Sequence, residues 1–180
     1  TPRRWSLHTK LTLITTAGLL VAGTLVITAF EWGNPDTIGA HGTGGRLLGG
    51  FFAAVMPRTA GFNAIDYAQV TPETLLATDM LMFAGGGSGS TAGGLKVTTL
   101  AVLLLVVWSE IRGSEVRAFR RAIPPVAERQ ALTVAVISLN LVVIATLALM
   151  ATNDLGLSDA LFESVSAFAT VGLSAGVTPG

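Results

Sequence analysis

Between Phe83 and Lys96 the chain reads FAGGGSGSTAGGLK. Glycine fills positions 85, 86, 87, 89, 93 and 94, with Ser88, Ser90 and Thr91 between them. Mostly apolar runs flank the stretch, Leu75 to Ala84 and Leu95 to Trp108. Neither is long enough to cross a bilayer as a helix, which takes about 20 residues, and joined they are too long for one straight crossing. A glycine-rich break inside such a segment frees backbone N–H and C=O groups. Lipid cannot satisfy them, so this backbone is tolerated only against protein or a water-filled path. The break is therefore a candidate functional element.

Composition puts the chain in a membrane. It is 51% hydrophobic and 12% charged, against about 25% charged residues in a soluble domain. It has no cysteine, which excludes disulfides and thiolate metal sites. His8 and His41 are far apart in sequence and form no ligand motif; they read as solvated or interfacial. The start, TPRRWSLHTK, is not expected to be a signal peptide, because the apolar run behind it is too long. Without an initiator methionine, the sequence is expected to begin inside a larger protein. The glycines do not make a Walker A loop: after Gly89 to Gly94 the next residue is Leu95, with Lys96 one place late. Gly87-x-Gly89-x-x-Ala92, with Glu110 downstream, does fit a dinucleotide fingerprint. That leaves a dinucleotide-binding oxidoreductase as a remote alternative, opposed by the long uncharged spans and the lack of strand–helix alternation.

In chain order, Leu11 to Phe30 makes one span. Glu31 to Gly44 is a loop, and Arg46 to Met56 a half-length helix stopped by Pro57. Residues 58–63 follow as irregular chain. Thr71-Pro72-Glu73 is a helix start, with Thr as cap, Pro at the first position and an acid in the first turn. That helix runs to Ala84, breaks at the glycines and resumes from Leu95 to Trp108. Residues 109–130 form a polar loop, and Ala131 to Ala151 a second uncharged span. Ser158 caps a short helix, Asp159 to Phe168, before Thr170 to Ser174. Arg3, Arg4 and Lys10 flank the first span, and Arg112, Arg117, Arg120, Arg121 and Arg129 crowd the 109–130 loop. The positive-inside rule makes both cytoplasmic, so the short helices enter from outside.

The two short helices repeat one pattern. Phe52-x-x-Val55-Met56-Pro57 and Thr59-Ala60-Gly61-Phe62-Asn63 align with Phe162-x-x-Val165-Ser166-Ala167 and Thr170-Val171-Gly172-Leu173-Ser174, the second copy carrying one extra residue before its Thr. The spans before them also correspond. Repeats imply a fold of equivalent units, here span, pore loop, span, then span, pore loop. A short helix entering from outside aims the negative end of its dipole at the membrane middle. The carbonyls beyond it can replace an ion's hydration shell, as in potassium filters built on TVGYG. Gly61 and Gly172 allow the twist this needs, and Thr59 and Thr170 add hydroxyls.

With these residues in place, the sequence resembles the Trk/Ktr/HKT superfamily of potassium transporters, closest to the bacterial Ktr/Trk membrane subunit. SLHTK at 6–10, PRTAGFN at 57–63, GGGSGSTAGGLK at 85–96 and LFESVSAFATVGLS at 161–174 carry the resemblance. It implies an all-α membrane protein with four channel-like repeats around one pore. Residues 1–108 would be the third repeat, 109–130 a cytoplasmic loop, and 131–180 part of the fourth. Thr59, Ala60, Gly61 and Phe62, with Thr170, Val171, Gly172 and Leu173, would be two of four filter walls. Gly85, Gly86, Gly87, Ser88, Gly89, Ser90, Thr91, Ala92, Gly93 and Gly94 would form an intramembrane gate. Lys96 either snorkels toward the cytoplasm or faces the ion path. K⁺ is the implied cargo, with no covalent cofactor, no enzymatic chemistry and no nucleic acid; whether Na⁺ accompanies it stays open. Implied partners are the remaining repeats, a cytoplasmic nucleotide-binding regulatory subunit and a second pore subunit, in the cytoplasmic membrane. The resemblance also implies two further repeats and a last helix, with a basic residue near the gate, outside residues 1–180.

A different membrane chemistry stays open beside it. Broken helices also build substrate sites in secondary transporters, and Asp79, in the first half of the broken helix, would then be a coupling carboxylate. Glu163 has two readings, hydrogen-bonded support for the filter or attraction of cations at its mouth. The basic 109–130 loop sets topology and is a candidate docking surface.

Overall fold

The computed structural model describes residues 6–58, 60–62, 65–87, 93–113, 116–118 and 121–176. They form six α-helices: α1 Leu7–Glu31, α2 Thr43–Val55, α3 Pro72–Phe83, α4 Val97–Arg112, α5 Pro125–Thr152 and α6 Leu157–Ala169. A single 3₁₀ turn, Ile38–Ala40, precedes α2. The one sheet among the described residues is a minimal hairpin, Arg117–Ala118 against Arg121–Ala122.

α1 and α5 are long and apolar enough to cross a membrane. At about 1.5 Å per residue, their 25 and 28 residues exceed the hydrocarbon thickness. Both leave large apolar side chains exposed along their length, among them Val21 and Leu25 on α1 and Leu139, Ile144 and Leu147 on α5. Such faces are stable against lipid. α1 begins at Ser6, whose hydroxyl accepts the Thr9 N–H at 3.1 Å. α3 begins at Thr71, whose hydroxyl accepts the Thr74 N–H, with Pro72 at the first position and Glu73 in the first turn.

Several boundaries differ from the sequence expectation. α4 continues past Trp108 to Arg112 and stops at Gly113 in the left-handed region. α5 starts at Pro125, before the apolar run. Ser109 to Arg112 and Glu128 to Gln130 are polar but helical, because hydropathy marks the edge of the hydrocarbon and not the end of hydrogen bonding. α2 starts at Thr43 and ends at Val55, Met56 and Pro57 forming a turn. The cap of α6 is Gly156, not Ser158, with no side-chain capping bond.

α1 packs on α2, α3 and α4; α6 packs on α3 and α5; α4 packs on α5. Close approach comes from glycine. A Cβ on Gly50 of α2 would overlap the Thr28 hydroxyl of α1, and one on Gly23 of α1 would lie 2.8 Å from a Leu81 methyl of α3. The core holds Tyr67 and Phe162, ring centroids 5.3 Å apart, with Ile27, Met82 and Val165 around them. Tyr67 lies in the loop before α3 and is 2% exposed; burial pushes its phenol pKa up, so the group stays neutral.

At the C-terminal end of α1, Glu31 is fully buried. One carboxylate oxygen accepts from the Thr37 hydroxyl at 2.6 Å and the Asn34 amide at 2.7 Å. The other accepts from the Thr71 N–H at 2.8 Å and the Thr71 hydroxyl at 2.9 Å. One side chain thus joins the end of α1, the loop after it and the cap of α3. Glu31→Ala removes a charged acceptor and orphans buried donors. In the intact protein it is expected to lower unfolding free energy by about 3 kcal/mol, read from denaturation in detergent; an unchanged midpoint would overturn the hub role.

Candidate functional site

The site is built from the C-terminal ends of α2 and α6 and the chain that follows each. After α2, the N–H groups of Ala60 and Gly61 both return to the Met56 carbonyl, at 3.2 and 3.3 Å. After α6, the N–H of Val171 returns to the Ser166 carbonyl at 2.9 Å and that of Thr170 to Ala167 at 3.1 Å. The extra residue of the second copy is absorbed there: of the aligned return bonds, Ala60 to Met56 spans four residues and Val171 to Ser166 five. Gly61 and Gly172 have φ of +66° and +85°, a region only glycine enters cheaply.

The two loops touch. A Cβ on Gly61 would overlap the Val171 carbonyl oxygen, whereas one on Gly172 would meet nothing within 4 Å. Thr170 and Gly172 are exposed, while Val171 and Leu173 are buried. Ala60 and Phe62 are exposed, Phe62 by 70%. Thr59, part of the expected filter, lies outside the described residues.

Three bonds fix the second loop. Ser166 donates its hydroxyl to the Leu173 carbonyl at 2.6 Å, so this carbonyl points back to α6. Glu163 accepts from the Ser174 hydroxyl at 2.5 Å and the Ala175 N–H at 3.1 Å. Of the two readings of Glu163, the hydrogen-bonded one is what the structure contains.

Of the glycine segment, Gly85, Gly86, Gly87, Gly93 and Gly94 are described; Ser88, Gly89, Ser90, Thr91 and Ala92 lie outside the described residues. The two sides of the segment meet. Leu95 N–H donates to the Phe83 carbonyl at 2.9 Å, and Val97 N–H to Gly86 at 3.1 Å. Gly85 abuts the Gly93 carbonyl. Gly93 N–H donates to the Thr170 hydroxyl at 3.0 Å, and Phe83 stacks on Phe168 at 5.9 Å. The structure therefore brings the glycine segment to the second loop, a contact the sequence does not reveal. Lys96 is the residue before α4.

Asp79 faces elsewhere. It is 6% exposed and lines a cavity of about 520 Å³ between α1, α3, α4, α5 and α6, whose other lining residues are apolar. Its Oδ1 is buried without a hydrogen-bond partner. Arg58, at the end of the first short helix, likewise has Nε and Nη2 buried and unpaired. His8 and His41 are exposed, and the described residues contain no cluster suited to a metal.

Residues 3–179 match the family described as TrkH, cation transport protein. The chain belongs to this family. Its relatives include the Ktr system potassium uptake protein B of Vibrio alginolyticus, 41% identical over 96% of this chain. The protein of that name from Bacillus subtilis is 42% identical over 98%. The potassium/sodium uptake protein NtpJ of Enterococcus hirae is 40% identical over 98%. The matched region is 38%, 40% and 40% of those three proteins, so the chain spans about two fifths of their length. Family membership agrees with an all-α membrane protein and leaves the dinucleotide-binding reading without support.

Glu163→Ala removes the acceptor that fixes Ser174 and Ala175. A loss of about 2 kcal/mol is expected in the intact protein, most of it restored by Glu163→Gln, which keeps one carbonyl acceptor. Equal melting of all three proteins would show that the loop is held by other means.

Proposed function

We propose that this chain supplies two of the walls of a K⁺-selective path in a potassium uptake protein of the cytoplasmic membrane. What carries the reading is the pair of positive-φ glycines, Gly61 and Gly172, each beyond the C-terminal end of a short helix, in loops that touch. Thr59 to Phe62 and Thr170 to Leu173 form the filter, where backbone oxygens other than that of Leu173, which accepts from Ser166, replace water around the ion. The helix ends add partial negative charge on the same side. Gly85 to Gly94 obstruct the path beneath the second loop, and Lys96 stands at the start of the inner helix. The N-terminus and the basic 109–130 region face the cytoplasm, where a nucleotide-binding regulatory subunit docks. The remaining repeats complete the pore, and two pore subunits associate. Na⁺ is a second candidate cargo, since one relative's name includes sodium.

A second reading rests on Asp79, a buried carboxylate with an unpaired oxygen in a broken helix. There it is the coupling group of a transporter in which the glycine segment binds solute.

The deciding experiment is K⁺ and Na⁺ uptake by proteoliposomes holding the full-length protein, wild type, Gly172→Ser and Asp79→Asn. A side chain at φ +85° costs about 1–2 kcal/mol, so Gly172→Ser is expected to reduce K⁺ preference over Na⁺ by about tenfold. Unaltered selectivity there, with transport abolished by Asp79→Asn, moves the assignment to the second reading. Shortening residues 85–94 is expected to raise K⁺ flux; unchanged or lower flux in folded protein would remove the gate from the proposal.

A further inference from the structure

The bonds that close α6 form a Schellman motif, with Val171 N–H on Ser166 and Thr170 N–H on Ala167. The left-handed position of that motif usually holds glycine, because a Cβ there crowds the following carbonyl. Here it holds Thr170, at φ 56° and ψ 38°. Thr170 is the one non-glycine with positive φ among the described residues. A β-branched side chain in this region is an outlier, and such strain persists only where the surroundings over-determine it. What threonine adds over glycine is a hydroxyl, and that hydroxyl accepts the N–H of Gly93 at 3.0 Å.

Gly93 is exceptional from its own side. A Cβ there would lie 2.8 Å from the carbonyl carbon and oxygen of Ala169 and 2.8 Å from the Thr170 hydroxyl. Only glycine brings its amide this close. Gly94 follows at φ +72°, against the Met82 and Phe83 carbonyls. At one contact, threonine stands where glycine is cheap, and glycine stands where any side chain would push the two segments apart.

We propose that the hydrogen bond from Gly93 N–H to Thr170 Oγ1 is a latch that ties the exit of the glycine segment to the inner end of the second loop and holds Thr170 in its left-handed conformation. Release of the segment and a backbone change at Thr170 are then one event. The latch rests on the filter reading only for its consequence. A cation held by Oγ1 and an amide proton donated to it repel each other, so ion occupancy at Thr170 and the closed latch oppose one another, and the opposition is reciprocal.

The test uses full-length protein with a cysteine reporter at Gly87, in an otherwise cysteine-free background. Among the described residues, a Cβ there makes one ordinary contact, with the Thr12 methyl at 3.4 Å. The rate of reaction with a water-soluble thiol reagent is read without K⁺, so no transport is required. Thr170→Val and Thr170→Gly are each expected to raise the rate about fivefold, the factor of one net neutral hydrogen bond, with Thr170→Ser staying near the parent. Thr170→Gly also relieves the strain, which guards against a folding failure. Gly93→Ala is expected to raise the rate, and to add nothing in the Thr170→Val background, because both break the same bond. Equal rates in parent, Thr170→Val and Thr170→Gly, or additive effects of Gly93→Ala and Thr170→Val, overturn the latch. Adding K⁺ is expected to speed labelling of the parent and not of Thr170→Val. If the K⁺-free rates shift as stated while Gly172→Ser keeps its selectivity, the latch stands and the filter assignment fails.

Discussion

Backbone that leaves a helix at membrane depth must find hydrogen-bond partners inside the protein, and the other features of this fold can be traced to that requirement. The helix that begins at Pro72 stops at Phe83, and the helix that resumes at Val97 has amides with no preceding turn to bond. Each side of the break answers the other: Phe83 and Gly86 supply carbonyls, and Leu95 and Val97 supply the N–H groups. The break is thus a closed excursion with matched ends. That closure carries the exit of the segment to the end of α6, where Gly93 and Thr170 meet.

The same requirement shapes the two short helices. Each ends short of a crossing and must satisfy its last carbonyls within a few residues. The first copy does so by returning two amides to Met56, the second by a left-handed residue that absorbs one more position. The loops that result carry positive-φ glycines at matching places, so the repeat is one of backbone conformation as well as of residue type.

Much of this was legible in the sequence. Thr71-Pro72-Glu73 marked a helix start because cap, fixed φ and dipole agree there, and the glycines marked the break. Other features were hidden by their chemistry. Hydropathy could not show that polar Ser109 to Arg112 and Glu128 to Gln130 extend α4 and α5. Ser158 fits a cap by type, yet the chain turns at Gly156, which needs no side chain to do so. The Glu31 hub left one faint signal, an acid at the C-terminal end of an apolar helix, where the dipole disfavours it. Its donors come from Thr37 and from Thr71, 40 positions away, a pairing no local pattern encodes. For the candidate site, the two glycine loops could be read from their repeat. The meeting of Gly93 with Thr170 could not, since it joins residues 77 apart.

The Glu31 cluster has a mechanical side. By holding the cap of α3 to the end of α1, it makes the first half of the broken helix part of the frame, together with the Tyr67 and Phe162 core. At the start of α4, the Leu95 and Val97 amides bond the Phe83 and Gly86 carbonyls across the break. A pull applied at the C-terminal end of α4 reaches α3 through these bonds. Load carried along α4 thus arrives at the bonds that close the glycine segment, between Phe83 and Val97.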